Sequence, residues 1–323
     1  MFNSMKSSWL MSLLLCMSVS SSMADVFPSQ PLRLVMPFAP GTASENAMKM
    51  VLEKLEEKLK QPIVLDNKPG AGSTLGTDIV AKAPADGYTL LASYNSSIAP
   101  GSLLYSKLPY DAIKDFKHIA LIGVFPQYMV VKGDYPAKNV QELLALIKNK
   151  PGALNYSSAG VGTSGFLAVE LLKQTINLDV LHVPYKGPGP AMTDLLGGRL
   201  DMVMTSSAAS LVASGKIRVL AVSSAQRNPH YPDIPSLTEI SPRVHAVSWM
   251  GISAPAQTPA TITQKLEKEI LNVLNSPEIR LKLSDPSLGM TLMSLDSEKF
   301  LEFIQLEMNI WRPVIKTGNF QMN

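Results

Sequence analysis

The sequence predicts an α/β chain built as two similar lobes, and three observations lead there. Short apolar runs that fit buried strands alternate with stretches of helical spacing, the pattern of parallel sheets covered by helices. A strand, a glycine turn and a helix start occur in that order twice, at 33–59 and at 154–174. Apolar runs at 118–123, 128–131 and 247–253 are placed to carry the chain from one lobe to the other and back.

Residues 1–24 read as a secretory signal peptide, with one lysine (Lys6), an apolar run at 9–17 and a small-x-small site at Ser22-Met23-Ala24. That apolar run is too short for a stable membrane span. The net charge is +3; the first 24 residues hold Lys6 and no acid, so the remainder carries +2. With no basic patch interleaved with aromatics, nucleic acid is not an expected partner. The single cysteine, Cys16, lies inside the signal, and bulky Leu15 before it argues against lipoprotein processing. The exported chain then has no disulfide framework, no Cys nucleophile and no Cys–zinc site, and its core must hold it together.

The first alternation opens with RLVMPF at 33–38, a strand, punctuated by Pro40-Gly41. From Ala47 onward Met48, Val51, Leu52, Leu55 and Leu59 recur at helical spacing. Thr42 and Glu45 fit a capping box, the hydroxyl taking the N3 amide and the carboxylate reaching back to the Thr42 amide. A helix start presents unpaired N–H groups and a partial positive charge, which suit an anion. A plain strand-to-helix connection has the same local pattern; the repetition of the device is what favours a site. A strand at 62–66, a turn-rich loop at 68–73, a short helix at 74–83 and a turn at 85–87 follow. The strand at 88–93 ends in Tyr94-Asn95-Ser96-Ser97, and 98–116 reads as irregular.

The second alternation starts with a helix at 140–147 capped by Asn139. A strand at 154–158 enters the Gly-rich turn 159–165, followed by a helix at 166–174 and a strand at 180–183. The loop 184–189 leads into a helix with Pro190 near its first turn, closed by Gly197-Gly198. Strands at 200–204 and 217–223 flank a short Ala/Ser helix. Residues 225–246 are Pro-rich and polar, as a return connection would be. Thr258-Pro259 opens a helix to about Leu274, and 277–283 forms a short one. Asp296 caps a last helix towards Lys316, which Pro313 is expected to kink or end.

Gly160-Val161-Gly162-Thr163-Ser164-Gly165 matches the G-x-G-x-x-G fingerprint between a strand and a helix. The acid expected at the end of the next strand is missing: that strand ends Val183-Pro184-Tyr185-Lys186, and Asp179 precedes it. A nucleotide is therefore not predicted, while close backbone approach and an anion at the helix start are. The histidines at 118, 182, 230 and 245 show no metal-ligand spacing, and His182 reads as a core residue. Gly162-Thr163-Ser164-Gly165 breaks the G-x-S-x-G elbow at Phe166. Lys186 beside Tyr185 fits an acidic ligand or a solvated surface equally. With no nucleophile, metal or cofactor signature, no turnover is predicted.

The segments RLVMPFAPG, DNKPGAGSTLGTDIVAKAPADGYTLL, KLPYD, LNYSSAGVGTSG, HVPYKGPGPAMTDLLGGRLDM and ISAPAQTP closely resemble the Bug family, in order and over essentially the whole exported chain. These are the extracytoplasmic solute-binding receptors of tripartite tricarboxylate transporters. The resemblance implies a two-lobed periplasmic-binding-protein fold, type II-like, that closes on a small organic carboxylate held largely by backbone amides and water. It implies lobes at 25–124 plus 247–323 and at 125–246, with a hinge of crossing strands near 119–131 and 245–253. The ligand-binding residues expected are Phe38, Ala39, Gly41 and Thr42 after the first strand, and Ser96 and Ser97 after the 88–93 strand. In the second lobe they are Ala159, Gly160, Thr163, Ser164, Tyr185 and Thr205. No cofactor and no metal are expected. The partners implied are the carboxylate and the membrane subunits of the transporter, for a periplasmic monomer; a sensor's ligand-presenting subunit and an exported α/β enzyme acting on a small acid are the alternatives.

The chain departs from the family pattern where members usually carry a second Gly (here Thr42), an Asp (Glu45), a polar or His residue (Phe166) and an acidic or amide pair (Thr205-Ser206). Thr205 in place of a carboxylate removes a partner for an ammonium group, and Phe166 adds apolar area behind the second loop. Together they favour a carboxylate without a cationic end, with an apolar body, unless Phe166 faces the core and Thr205 only caps the next helix.

Overall fold

The structure is a computed structural model, described for residues 27–185, 188–206, 214–228, 230–318 and 320. The signal segment 1–24 with Cys16, Lys186, and the Ala/Ser helix expected across 207–213 lie outside the described residues.

The first half of the chain forms β1 (Leu32–Met36), α1 (Ala43–Leu59), β2 (Ile63–Asn67), α2 (Thr74–Ala81), β3 (Thr89–Tyr94) and β4 (Phe116–Pro126). The middle forms β5 (Tyr128–Lys132), α3 (Val140–Asn149), β6 (Asn155–Ser158), α4 (Ser164–Ile176), β7 (Leu181–Pro184), α5 (Pro188–Leu196), β8 (Met202–Thr205) and β9 (Ile217–Val222). The chain closes with β10 (Val247–Pro255), α6 (Ala260–Leu274), α7 (Pro277–Leu283), β11 (Thr291–Leu295) and α8 (Ser297–Gly318).

Two mixed sheets result, ordered β11-β4-β10-β3-β1-β2 and β7-β6-β8-β5-β9. In the first, β1 runs parallel to β2 and β3, and β10 lies antiparallel between β3 and β4. In the second, β6 runs parallel to β7 and β8, while β5 is antiparallel to β8 and β9. The chain passes from one sheet to the other at Gln127, between β4 and β5, and returns into β10. Ser223 ties the two crossings together: its Oγ accepts the Gln127 N–H at 2.9 Å and donates to the Ala246 carbonyl.

Helices on both faces explain why Leu34, Val35 and Met36 of β1 read as an unbroken apolar run. Leu34 and Met36 pack with Met48, Val51 and Leu55 of α1 and Ile270 of α6. Val35 faces the other way, towards Leu91, Trp249 and Phe300. The second lobe has its own core, with Tyr156, Leu167, Leu171, Met202 and Met204. Each such side chain contributes roughly 1.5–3 kcal/mol by leaving water.

α8 runs from one core to the other, a span that the sequence pattern does not announce. Phe300 and Ile304 pack with Trp249, while Trp311, Val314 and Ile315 belong to the second-lobe core. Pro313 does not end the helix, which continues to Gly318. Removing one N–H inside a helix costs about 3 kcal/mol; burial of Trp311, Val314 and Ile315 around it offsets that. Asn139 and Asp296 cap as the sequence predicts, their side chains accepting the N–H groups of Glu142 and Lys299 at 2.9 Å each. The return connection holds a capping box that its Pro-rich composition hides, Ser236 with Glu239.

Candidate functional site

In each sheet the chain reverses its winding about one central strand. It leaves β1 for β2 through α1, then crosses back over β1 to reach β3. It leaves β6 for β7 through α4, then crosses back to β8. Ligands of open α/β sheets bind outside the carboxyl ends of the strands at such switch points. Phe38, Ala39, Gly41 and Thr42 follow β1, and Ser96 and Ser97 follow β3. Ala159, Gly160, Thr163 and Ser164 follow β6, Tyr185 follows β7, and Thr205 ends β8.

The loop after β1 is braced from its own lobe. The Phe38 ring stands edge-on to Tyr94, centroids 4.7 Å apart, and Asn67 Nδ2 donates to the Phe38 carbonyl at 2.9 Å. Thr42 is the N-cap of α1, its Oγ1 accepting the Glu45 N–H at 3.1 Å. The Glu45 carboxylate reaches further than a capping box requires: Oε2 accepts the Gly41 N–H at 2.5 Å, one residue before the expected amide. Its Oε1 lies 2.8 Å from the Lys49 ammonium. Burial alone would raise this carboxyl; the Lys49 ammonium and the amides of Gly41 and Thr42 outweigh it and hold the group below its ordinary value.

The loop after β6 is built differently. Thr163 is the N-cap of α4 by backbone geometry, but its side chain makes no cap bond; Oγ1 donates to the Gly160 carbonyl at 2.7 Å instead. Ser158 braces the turn, its Oγ accepting the Gly160 N–H at 3.2 Å and lying 2.9 Å from His182 Nε2. Burial pulls the His182 pKa down to about 4, aided by the nearby Lys173 charge, so the imidazole beneath the loop is neutral at neutral pH. The fingerprint glycines serve packing: a Cβ on Gly162 would lie 2.5 Å from Leu104 Cδ1, and one on Gly165 2.9 Å from the Met204 carbonyl. Gly160 sits at φ +131°, a conformation side chains rarely adopt. Among the described residues, the first-turn amides of α4 thus receive no side-chain cap.

Across the crevice, Asn95 Nδ2 donates to Ser164 Oγ at 2.7 Å, and Ser164 Oγ lies 3.1 Å from Ser248 Oγ on β10. Ser96 Oγ lies 2.6 Å from Ser73 Oγ. Ser97 is fully buried and accepts from Thr77 Oγ1 at 2.8 Å, which makes it a support for the loop. Tyr185 turns along its own lobe, its hydroxyl donating to Asp194, which pairs with Arg199 at 2.7 Å. Thr205 is buried opposite Tyr128 in the sheet. Among the described residues no hydrogen bond joins the loop at 38–42 to the loop at 159–164. Sequence reasoning missed Asn95, Ser73 and Ser248; only Asn95, the first residue after β3, carried a positional signal. The apolar-body reading of the ligand needs correction, because Phe166 faces the core, its ring 4.9 Å from His182 and 5.4 Å from Phe320.

Residues 47–320 match the tripartite tricarboxylate transporter family receptor, TctC. The chain is 34% identical over 308 residues, 93% of its length and 91% of the relative's, to the UPF0065 protein in the tcbD-tcbE intergenic region of Pseudomonas sp. strain P51. Its structure is similar to that of the periplasmic binding protein BugD, with a TM-score of 0.81, 28% identity, and 92% of this chain and 100% of that one covered. It is also similar to R. palustris Rpa4515 solved with adipate, with a TM-score of 0.84, 29% identity, and coverage of 91% and 98%.

Proposed function

The chain belongs to the Bug family of tripartite tricarboxylate transporter receptors, and we propose that it captures a small organic carboxylate between its lobes and delivers it to membrane subunits of such a transporter. The lobes are residues 25–124 plus 247–323 and 125–246, with the end of α8 packed into the second core, and they close about the crossings near Gln127 and Ala246. The protein works in the periplasm after removal of residues 1–24. The ligand lies against Phe38, Ala39, Gly41 and Thr42 on one side, against Ala159, Gly160, Thr163 and Ser164 on the other, and beside Ser96. Ser97, Tyr185 and Thr205 shape the walls.

One observation carries this reading: among the described residues, no side chain caps the first turn of α4, which lies at a switch point. Unpaired N–H groups at the end of a 13-residue helix favour a carboxylate without any cationic side chain. The likeness to a relative solved with adipate supports the ligand class. Calorimetry of the exported chain against carboxylic acids and their primary amides tests it. Binding is expected for acids and not for amides, which lack the charge. Equal binding of amides, or no acid bound, would reject the reading.

A further inference from the structure

The loop after β6 is gripped from the other lobe at two points. Asn95 follows β3 of the six-stranded sheet, and Ser164 opens α4 beside the five-stranded sheet. Asn95 Nδ2 donates to Ser164 Oγ at 2.7 Å, and both residues are buried. Ser164 Oγ also lies 3.1 Å from Ser248 Oγ on β10, so its hydroxyl is held on both sides by the first lobe. Two residues earlier stands Gly162, at φ +85°, where an added Cβ would lie 2.5 Å from Leu104 Cδ1. Leu104 ends a short helical turn, Gly101–Leu104, in the first lobe. Yet it is fully buried, and it packs in the second-lobe core with Tyr156, Phe166 and Leu167. The two grips belong to one braced unit. The Asn95 carbonyl accepts the Gly101 N–H at 2.9 Å, and Ser102 Oγ donates to the Ile98 carbonyl at 2.6 Å.

Resting on the division into lobes above and on no ligand, we infer that Asn95 and Leu104 are positioning residues. Acting through Ser164 and Gly162, they latch the two lobes and set the angle at which the loop 159–164 faces the first lobe. The crossings near Gln127 and Ala246 only tether the lobes, since a few backbone dihedrals there can take up a range of angles. The latch selects one of them. Opening would return the Leu104 side chain to water and leave the buried Asn95 and Ser164 groups to find other partners, and both changes are unfavourable. The hollow at Gly162 is part of the device, because any side chain there would occupy the seat of Leu104.

Pulsed EPR on the exported chain tests this. The one cysteine, Cys16, lies within residues 1–24, so a spin-label pair can be placed at Lys58→Cys on α1 and Lys148→Cys on α3, both exposed, to report the distance between lobes. With no ligand added, the otherwise unchanged chain is expected to give one narrow distance. Asn95→Leu removes the donor and keeps a branched side chain; it is expected to lower the latched-to-open ratio about tenfold, adding a second, longer distance. Leu104→Ala removes the knob and is expected to lower the ratio about a hundredfold. Leu104→Met keeps the volume and is expected to restore the single distance. A broad or two-peaked distribution in the unchanged chain overturns the latch. An unchanged single distance in a folded variant overturns the role of that residue, and a lowered melting temperature beside it marks Leu104 as a core residue alone. Where Leu104→Ala does not fold, Asn95→Leu decides. Because no carboxylate is added, these outcomes are separate from the calorimetry that tests the ligand class.

Discussion

The two strand–turn–helix units have the same parts in the same order and opposite chemistry. At α1 the amides are closed by Thr42 and Glu45; at α4 the corresponding threonine bonds its own turn and leaves the helix start open. A glycine turn before a helix is thus only half of an anion site. The other half is the third helical residue, and whether it turns back over the helix start or into the core.

The sharpest way to break this comparison is to close the second unit as the first is closed. Thr163→Asp supplies α4 with a capping carboxylate of its own. Carboxylate affinity is expected to fall about a thousandfold, the worth of two charge-assisted hydrogen bonds. Stability should hold or rise by about 1 kcal/mol, because Asp is a good N-cap. Titration calorimetry with a thermal melt reads both; unchanged affinity would remove the ligand from α4.

A second test asks whether pairing is what keeps Glu45 charged. Glu307 on α8 is the unpaired control, 3% exposed, with no hydrogen-bond partner at Oε2. Burial pushes its pKa up to about 7, with the Trp311 side chain pulling the other way. Between the ordinary carboxyl value of 4.5 and about 7, the unfolded chain gives up a proton that the folded chain keeps. This group therefore makes stability fall as pH rises through that window and leaves it flat above. Glu307→Gln is expected to remove the fall, gaining about 3 kcal/mol relative to wild type at pH 8 compared with pH 4. Urea unfolding at several pH values checks this, and parallel profiles for the two proteins would reject it.

The mildest test bends the open loop. Among the described residues a Cβ at Gly160 meets only the Tyr185 carbonyl, at an ordinary 3.5 Å, but φ is +131°. Gly160→Val should stay folded and shift the loop, weakening carboxylate binding about tenfold for a strain of roughly 1–3 kcal/mol. Full affinity in the folded variant would move the ligand away from this turn.

Much of this was legible in the chain, and for identifiable reasons. The caps at Thr42, Asn139 and Asp296 are local: donor and acceptor lie three residues apart, and backbone geometry alone brings them together. The alternation of strands and helices rests on periods of two and 3.6, which short windows carry. α4 shows where this stops. Ser164 to Leu172 are all buried, so periodicity cannot say which way Phe166 points. β11 is short, lies at the sheet edge and has no buried residue, and its pattern was too weak to read.

By itself, the sequence determined the α/β class, the repeated unit, the family, and the strand ends proposed here to meet a ligand. Each depends on neighbours within a turn or two, or on motifs long enough to be specific. Only the tertiary structure decided which helix start stays open, that Asn95 reaches Ser164 across 69 residues of chain, and that α8 fastens both cores. An amide is free or spent according to side chains whose rotamers are set by packing from remote segments, and no window of sequence contains those contacts.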